Sequence, residues 1–422
     1  MPKEDREEKK RKKADEQAKK RVEEERSKAL ARQDAIYNKV NTEMKGSVIV
    51  DSDAIVDTTS VRRPSGIMQL DIDTAGGLPP GMNVLSGPEG SGKSRLLSAY
   101  MRMNQRIYGD DSNIFVACAE FAPTLLYLRK AGVMVSLPDP VISKINDARV
   151  KLGGAPLEDK DIAYFKKQIG RVKFMLLSDA NAVLNTIVDV MMTNACQIIC
   201  LDSISTLLTD DEDGKEVGER NQRGTHASAV QQFVKKVHPI QLGAFGANHT
   251  TLIAVSQVRA AENKPGTPAH LMKEWQAKGA FALRHGKLFD IQVKPGFLDK
   301  VKGEKVGKMV KWEITKGKSG SHDGIIGETP YYYENEFTYE GVGFDESNTV
   351  YQKGVECGVI KEAKEGKGPV TLLSGYTKEP TDTVIQTPEE FVELLDIDPN
   401  FDLFVREHIL AAHGIECIYG NF

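Results

Sequence analysis

Apolar residues in this chain come in short runs of strand length, separated by segments with helical spacing. Runs at 82–85, 113–119, 172–177, 197–201 and 251–258 alternate with helical patterns at 95–99, 124–131, 158–168, 180–192 and 227–237. Short apolar strands joined by helices predict βα units that wind a parallel, twisted sheet flanked by helices, an α/β fold. Gly132 reads as a helix stop. Two more strands, at 288–293 and 308–315, follow before the βα rhythm is lost. Residues 137–169, apart from the helical pattern at 158–168, read as polar and irregular, as do 209–224 and 260–278, and 61–66 reads as a loop. Upstream lie an amphipathic helix at 29–40 (Leu30, Ile36, Tyr37, Val40) and a strand at 46–50. Downstream, 379–422 reads as a small helical module with Phe391, Leu394, Leu395, Phe401, Phe404 and Leu410 as its core. The expected organisation is an N-terminal helix and strand arm (1–54), an α/β core (55–343) and a small α+β C-terminal domain (344–422).

Composition adds little to the core but separates the ends. The 422 residues hold 56 Lys+Arg against 60 Asp+Glu, a net charge of −4, so nucleic-acid contact would need local basic patches. Residues 1–26 carry eleven basic and nine acidic side chains, the composition of a solvated single helix or a partly disordered arm. Residues 379–422 carry ten acidic side chains and one basic one, Arg406. The five cysteines are scattered, and Cys118, Cys196 and Cys200 fall in or beside apolar strands, which predicts buried thiols; Cys196-x-x-x-Cys200 lacks a second ligand pair for a metal. The charged N-terminus does not resemble a signal peptide, and no apolar run reaches the roughly eighteen residues of a membrane span, so a cytoplasmic protein is expected.

The chemistry concentrates in Gly87-Pro88-Glu89-Gly90-Ser91-Gly92-Lys93-Ser94, which follows one apolar run and opens a helix at Arg95. Glycines there let backbone N–H groups converge on phosphates, and the helix start adds its unpaired N–H groups and positive dipole end. Lys93 would reach the β- and γ-phosphates, and the Ser94 hydroxyl would ligate magnesium. The pattern in its strand–loop–helix context predicts binding of a nucleoside triphosphate with Mg2+. Asp202 ends the run at 197–201, where a carboxylate supports the metal shell. Glu120 ends another strand and is a candidate to polarise an attacking water. Gln257 ends a third, where an amide either senses a γ-phosphate or simply hydrogen-bonds.

The order of these motifs resembles the RecA family of recombinases, most closely its phage-encoded, UvsX-type branch. The likeness is carried by 65–97 (SGIMQLDIDTAGGLPPGMNVLSGPEGSGKSRLL), Ala119-Glu120, 127–133 (YLRKAGV), 201–204 (LDSI) and 253–259 (IAVSQVR), and spans roughly 28–375. The resemblance implies ATP as cofactor, Glu120 as the water-activating carboxylate and Tyr127 stacking on adenine. It implies Gln257 as the link from γ-phosphate to DNA, and Lys316 and Lys318 as a pair reaching a neighbour's nucleotide. Without it, Lys316 and Lys318 read as solvated strand-end lysines. It makes 209–224 and 260–278 DNA-binding loops, with Arg220, Arg223, Lys264, Lys273 and Lys278 neutralising phosphates, Lys235 touching backbone and Trp275 stacking on bases. Gly279 would let backbone approach the strand, and 46–50 would add to the next protomer's sheet in an open helical filament. The acidic end would either compete with DNA for basic surfaces or merely solubilise.

The chain departs from the family in four places: an insertion at 137–169, Thr124 where an Asp would help hold adenine, a longer second DNA loop, and the charged N-terminal extension. The expectation is therefore a strand-exchange recombinase with DNA-stimulated ATP hydrolysis. Its partners would be single-stranded DNA, homologous duplex, further copies of itself, and proteins that bind single strands or load filaments, with no membrane partner. The alternatives are a ring motor of the same fold, such as a helicase, and an ATP-binding filament scaffold that barely turns over.

Overall fold

The computed structural model describes residues 20, 24, 27–28, 31–40, 42–43, 61–119, 125–151, 153–208, 225–243, 248–260, 275–277, 283, 286–297, 307–318, 321–333, 343–364, 366–372 and 383–415. The chain divides into two compact units, Met1–Val56 with Gly243–Ala247, and Asp57–Leu242 with Asn248–Phe422. In the first, residues 31–40 are helical as the periodicity predicts, and Ile36 of the expected packing face is 60% exposed. The strand expected at 46–50 lies outside the described residues.

The second unit is built on α/β alternation. In chain order it runs α1 (Met68–Asp73), β1 (Gly81–Gly87), α2 (Lys93–Tyr108), β2 (Asn113–Cys118), α3 (Leu125–Lys130), α4 (Asp139–Lys151), α5 (Asp159–Lys166), β3 (Arg171–Met175), α6 (Ala180–Thr193), β4 (Ile198–Asp202), α7 (Thr225–Gln241), β5 (Thr251–Ala260), β6 (Trp275–Ala277), β7 (Phe289–Pro295), β8 (Gly307–Gly317), β9 (Ile326–Tyr332) and β10 (Gly343–Phe344). Nine strands lie in the order β3-β2-β4-β5-β1-β7-β8-β9-β10, and β6 pairs with β5. The run from β3 to β7 is parallel throughout, and β8, β9 and β10 extend it antiparallel. Central strands β1 and β4 are buried at every residue, as strands covered on both faces must be. Alternate side chains separate the two layers. Ile114, Val116 and Cys118 of β2 join Leu96, Leu97 and Tyr100 of α2 in one core. Ala117 of the same strand joins Val183 and Ile187 of α6 and Phe233 of α7 in the other.

Two readings need correction. Residues 139–151 form a helix; of that helix only Ile142 is buried, so no apolar stripe announces it in the sequence. The stretch 260–278 is not all loop, since 275–277 pairs antiparallel with β5, Val258 opposite Ala277 and Ala260 opposite Trp275. A strand this short carries no periodicity to read.

The C-terminal part adds α8 (Glu346–Glu356), β11 (Ile360–Lys364), β12 (Lys367–Leu372), β13 (Thr383–Ile385), α9 (Pro388–Ile397) and α10 (Pro399–Ala412). Its three strands form a separate antiparallel sheet. Phe391, Leu395 and Leu410 are fully buried there, with Leu394, Phe401 and Phe404 packed against them. Met68 of α1 and Met103 of α2 enter the same cluster and tie it to the α/β layers. Thr387 and Asp398 cap α9 and α10, accepting hydrogen bonds from Glu390 N and from Asn400 N and Phe401 N.

Candidate nucleotide site

Parallel strands end on one side of the sheet, and their carboxyl ends are where open α/β sheets place ligands. Here the strand ends carry three of the expected residues. Gly87, at the end of β1, lies opposite Gln257 of β5, and Asp202, ending β4, lies opposite Cys118 of β2. Only glycine fits at 87, where a Cβ would come within 2.2 Å of the Val293 carbonyl oxygen. The loop that leaves β1 returns into α2 through Gly92, whose φ of +113° favours glycine, and no side chain caps the helix there.

The loop closes around its own lysine. Lys93 is 7% exposed and its Nζ donates to the carbonyls of Gly87 (2.8 Å) and Pro88 (2.6 Å). Ser94 Oγ donates to Asp202 Oδ2 at 3.0 Å, so the two expected magnesium ligands already meet. Asp202 is 3% exposed, and its carbonyl accepts from Ala119 N at 2.8 Å, which draws the end of β2 alongside it. Glu120, the next residue, lies outside the described residues. Gln257 is half-buried, and its backbone N–H donates to Ser205 Oγ at 2.7 Å, joining β5 to the turn after Asp202. His226, at the start of α7, binds the Ile204 carbonyl through Nε2 at 2.9 Å and anchors the far end of the 209–224 segment to that turn.

Lys93, Ser94, Asp202 and Gln257 line a cleft of about 210 Å³ that includes Glu89, Gly90, Arg95 and Tyr127. Burial pushes the Tyr127 hydroxyl above its usual range, opposed by the nearby charge of Arg95. The Arg95 guanidinium lies 3.8 Å over the Tyr331 ring and 5.4 Å from Tyr333, a cation–π stack that builds one wall. One lining residue was not expected from sequence. Lys308, at the start of β8, donates from Nζ to the Gly90 carbonyl at 2.6 Å. It lies 218 positions from Gly90, and only the strand order brings the two together.

The residues present fit a magnesium–triphosphate pair. Ser91 is fully buried in the loop, and its Oγ has no hydrogen-bond partner among the described residues. Lys93, Arg95 and Lys308 gather positive charge around one helix start, and Asp202 with Ser94 offers oxygen ligands. Among the described residues no cluster of three His, Cys, Asp or Glu could hold a metal alone. Two protein oxygens plus phosphates and water is the coordination magnesium favours.

The other expected residues fall elsewhere. Lys316 pairs opposite Asp290, and Lys318 N donates to the Leu288 carbonyl, so both lie toward the entry end of the sheet, away from the phosphate loop. Burial lowers the Lys316 ammonium below its usual range, and the neighbouring charges of Lys318 and Lys287 lower it further. Lys235 is exposed on α7. Trp275 lies in β6, whose backbone alone is described. Thr124, Arg220, Arg223, Lys264, Lys273, Lys278 and Gly279 lie outside the described residues. Cys118, Cys196 and Cys200 are buried and free, with burial pushing the thiols of Cys118 and Cys196 up to about 11. Among the described residues no helix is long and apolar enough to cross a membrane. No protein-family model matches the chain, and no curated protein matches it.

Proposed function

We propose that this chain is an ATP-dependent recombinase with a RecA-like core, which polymerises on single-stranded DNA and pairs it with homologous duplex, hydrolysing ATP as DNA stimulates it. The observation that carries the reading is the alignment at the head of β1, β5 and β4. It brings the phosphate loop, Gln257 and the Ser94–Asp202 pair into one cleft. Lys93 and Ser94 would bind the phosphates and magnesium, and the metal would stabilise charge on the transferring phosphoryl group. Glu120, following directly on Ala119 beside Asp202, is assigned to orient and polarise the attacking water.

Coupling to DNA has a short path. Gln257 immediately precedes Val258, and from there β5 pairs with β6 at the two ends of the 261–274 segment. The 209–224 segment leaves and returns beside the turn that holds Ser205 and Ile204. A shift of Gln257 toward a γ-phosphate would therefore act on the roots of both proposed DNA loops. The loops' phosphate and stacking contacts carry no base code, so binding should be largely independent of sequence and strongly dependent on salt.

ATP hydrolysis measured at fixed low salt, with and without single-stranded DNA, tests this reading beside Glu120→Gln. Stimulation by DNA that the variant loses, by at least about a hundredfold, is the expected result. Brisk hydrolysis indifferent to DNA would remove the coupling through Gln257. DNA binding with no hydrolysis would leave a filament scaffold in its place.

A further inference from the structure

The cleft holds two cations, Arg95 and Lys308, beyond the lysine of its loop motif. Lys308 reaches the tip of the phosphate loop from β8, with Nζ 2.6 Å from the Gly90 carbonyl oxygen. The same Nζ lies 3.7 Å from where a Cβ on Gly92 would stand, at the first turn of α2. That Cβ would also come within 3.1 Å of Val310, so glycine at 92 is what admits the start of β8 against the loop. The contact is built by two segments far apart in sequence.

Electrostatically the placement suits an anionic ligand. A helix start carries partial positive charge, and a lysine brought to it is disfavoured. Lys93 and Arg95 line the same cleft, with Glu89 and Asp202 as the carboxylates among its described residues. Lys93 is committed to the carbonyls of Gly87 and Pro88 at the base of the loop, whereas Lys308 holds Gly90 at its tip. The two ammonium groups thus bracket the loop, one from α2 and one from β8.

We propose that Lys308 is a phosphate-binding residue that leaves the Gly90 carbonyl for the terminal phosphate of a bound triphosphate, and so sets the preference for triphosphate over diphosphate. This rests on the nucleotide reading of the cleft. A charge-assisted contact of this kind adds to triphosphate affinity and hardly at all to a ligand lacking the last phosphate.

The test titrates the full chain with a slowly hydrolysed ATP analogue and with ADP, both with magnesium, for wild type, Lys308→Met and Lys308→Arg. Lys308→Met should bind the ATP analogue about tenfold more weakly and ADP within about twofold of wild type, while Lys308→Arg keeps most of the triphosphate preference. An unchanged ratio of the two affinities in Lys308→Met, or equal loss of both, would overturn the assignment while leaving nucleotide binding intact. Wild type that binds neither nucleotide would instead bring down the reading of the cleft, and this assignment with it. Melting curves without nucleotide show whether each variant is folded, and the arginine variant keeps the test decisive if methionine proves destabilising.

Discussion

Asp71 shows how a single buried carboxyl makes a fold sensitive to pH. It is fully buried, and desolvation pushes its pKa up to about 7 despite hydrogen bonds from Ser65 N, Ser65 Oγ and Gly66 N and the nearby charge of Arg406. A carboxyl raised in the folded state above its unfolded value contributes stability that is fully present below about pH 4. That contribution is lost as the pH rises through about 7. Asp71→Asn removes this titration. Compared by urea unfolding at pH 4.5 and 7.5, the variant's deficit relative to wild type should shrink at the higher pH. A deficit that stays constant or grows would show that the carboxyl is ionised across the range. The same residue ties Ser65 and Gly66 to α1, and so holds the chain that leads into β1 and the phosphate loop.

Among the elements, α10 helps bind the C-terminal domain to the core through Arg406, beside the pairing of its Asp402 with Arg106 of α2. Arg406, fully buried, donates from Nε to both oxygens of Asp402 at 2.8 Å and from Nη1 to the Gly66 carbonyl, with Glu346 3.5 Å away. Removing one member of a buried ionic cluster leaves its partners poorly compensated, so Arg406→Met should destabilise by about 3–5 kcal/mol. Adding Asp402→Leu should recover part of that loss. Melting temperatures of the single and double variants check both, and an unchanged single variant would mean the cluster contributes nothing net. This arrangement was invisible in the sequence, where Asp402 and Arg406 have the spacing of an ordinary solvated helix pair. What was legible depended on local pattern: the phosphate loop, Asp202 and Gln257 each end a readable apolar run, and the cleft unites them. Lys308 was not legible because its neighbours are set by strand order, and α4 was not because it buries a single apolar side chain. Sequence shows periodicity within an element; it does not show which element lies next to which.

At the scale of the whole molecule, β8 has two ends in different surroundings. Its first residues meet the phosphate loop through Lys308, while Lys316 lies eight positions on, about 25 Å along an extended strand. Burial lowers the Lys316 ammonium, and repulsion from Lys318 and Lys287 lowers it further, partly offset by Asp290 and Asp323. A polyanion brought by another copy would relieve that repulsion, and a head-to-tail contact that brings it generates an open filament. If each nucleotide is completed by a neighbour's lysines, two inactive variants should complement each other. Lys316→Ala/Lys318→Ala keeps Glu120 but cannot serve a neighbour; Glu120→Gln can serve a neighbour but cannot hydrolyse its own ATP. An equal mixture places an intact Glu120 against intact lysines at about one interface in four, so DNA-stimulated hydrolysis should return to about a quarter of the wild-type rate. Activity equal to the sum of the separate variants would mean that each site is complete within one chain. It would also mean that Lys316 and Lys318 act, if at all, on something other than a neighbour's nucleotide.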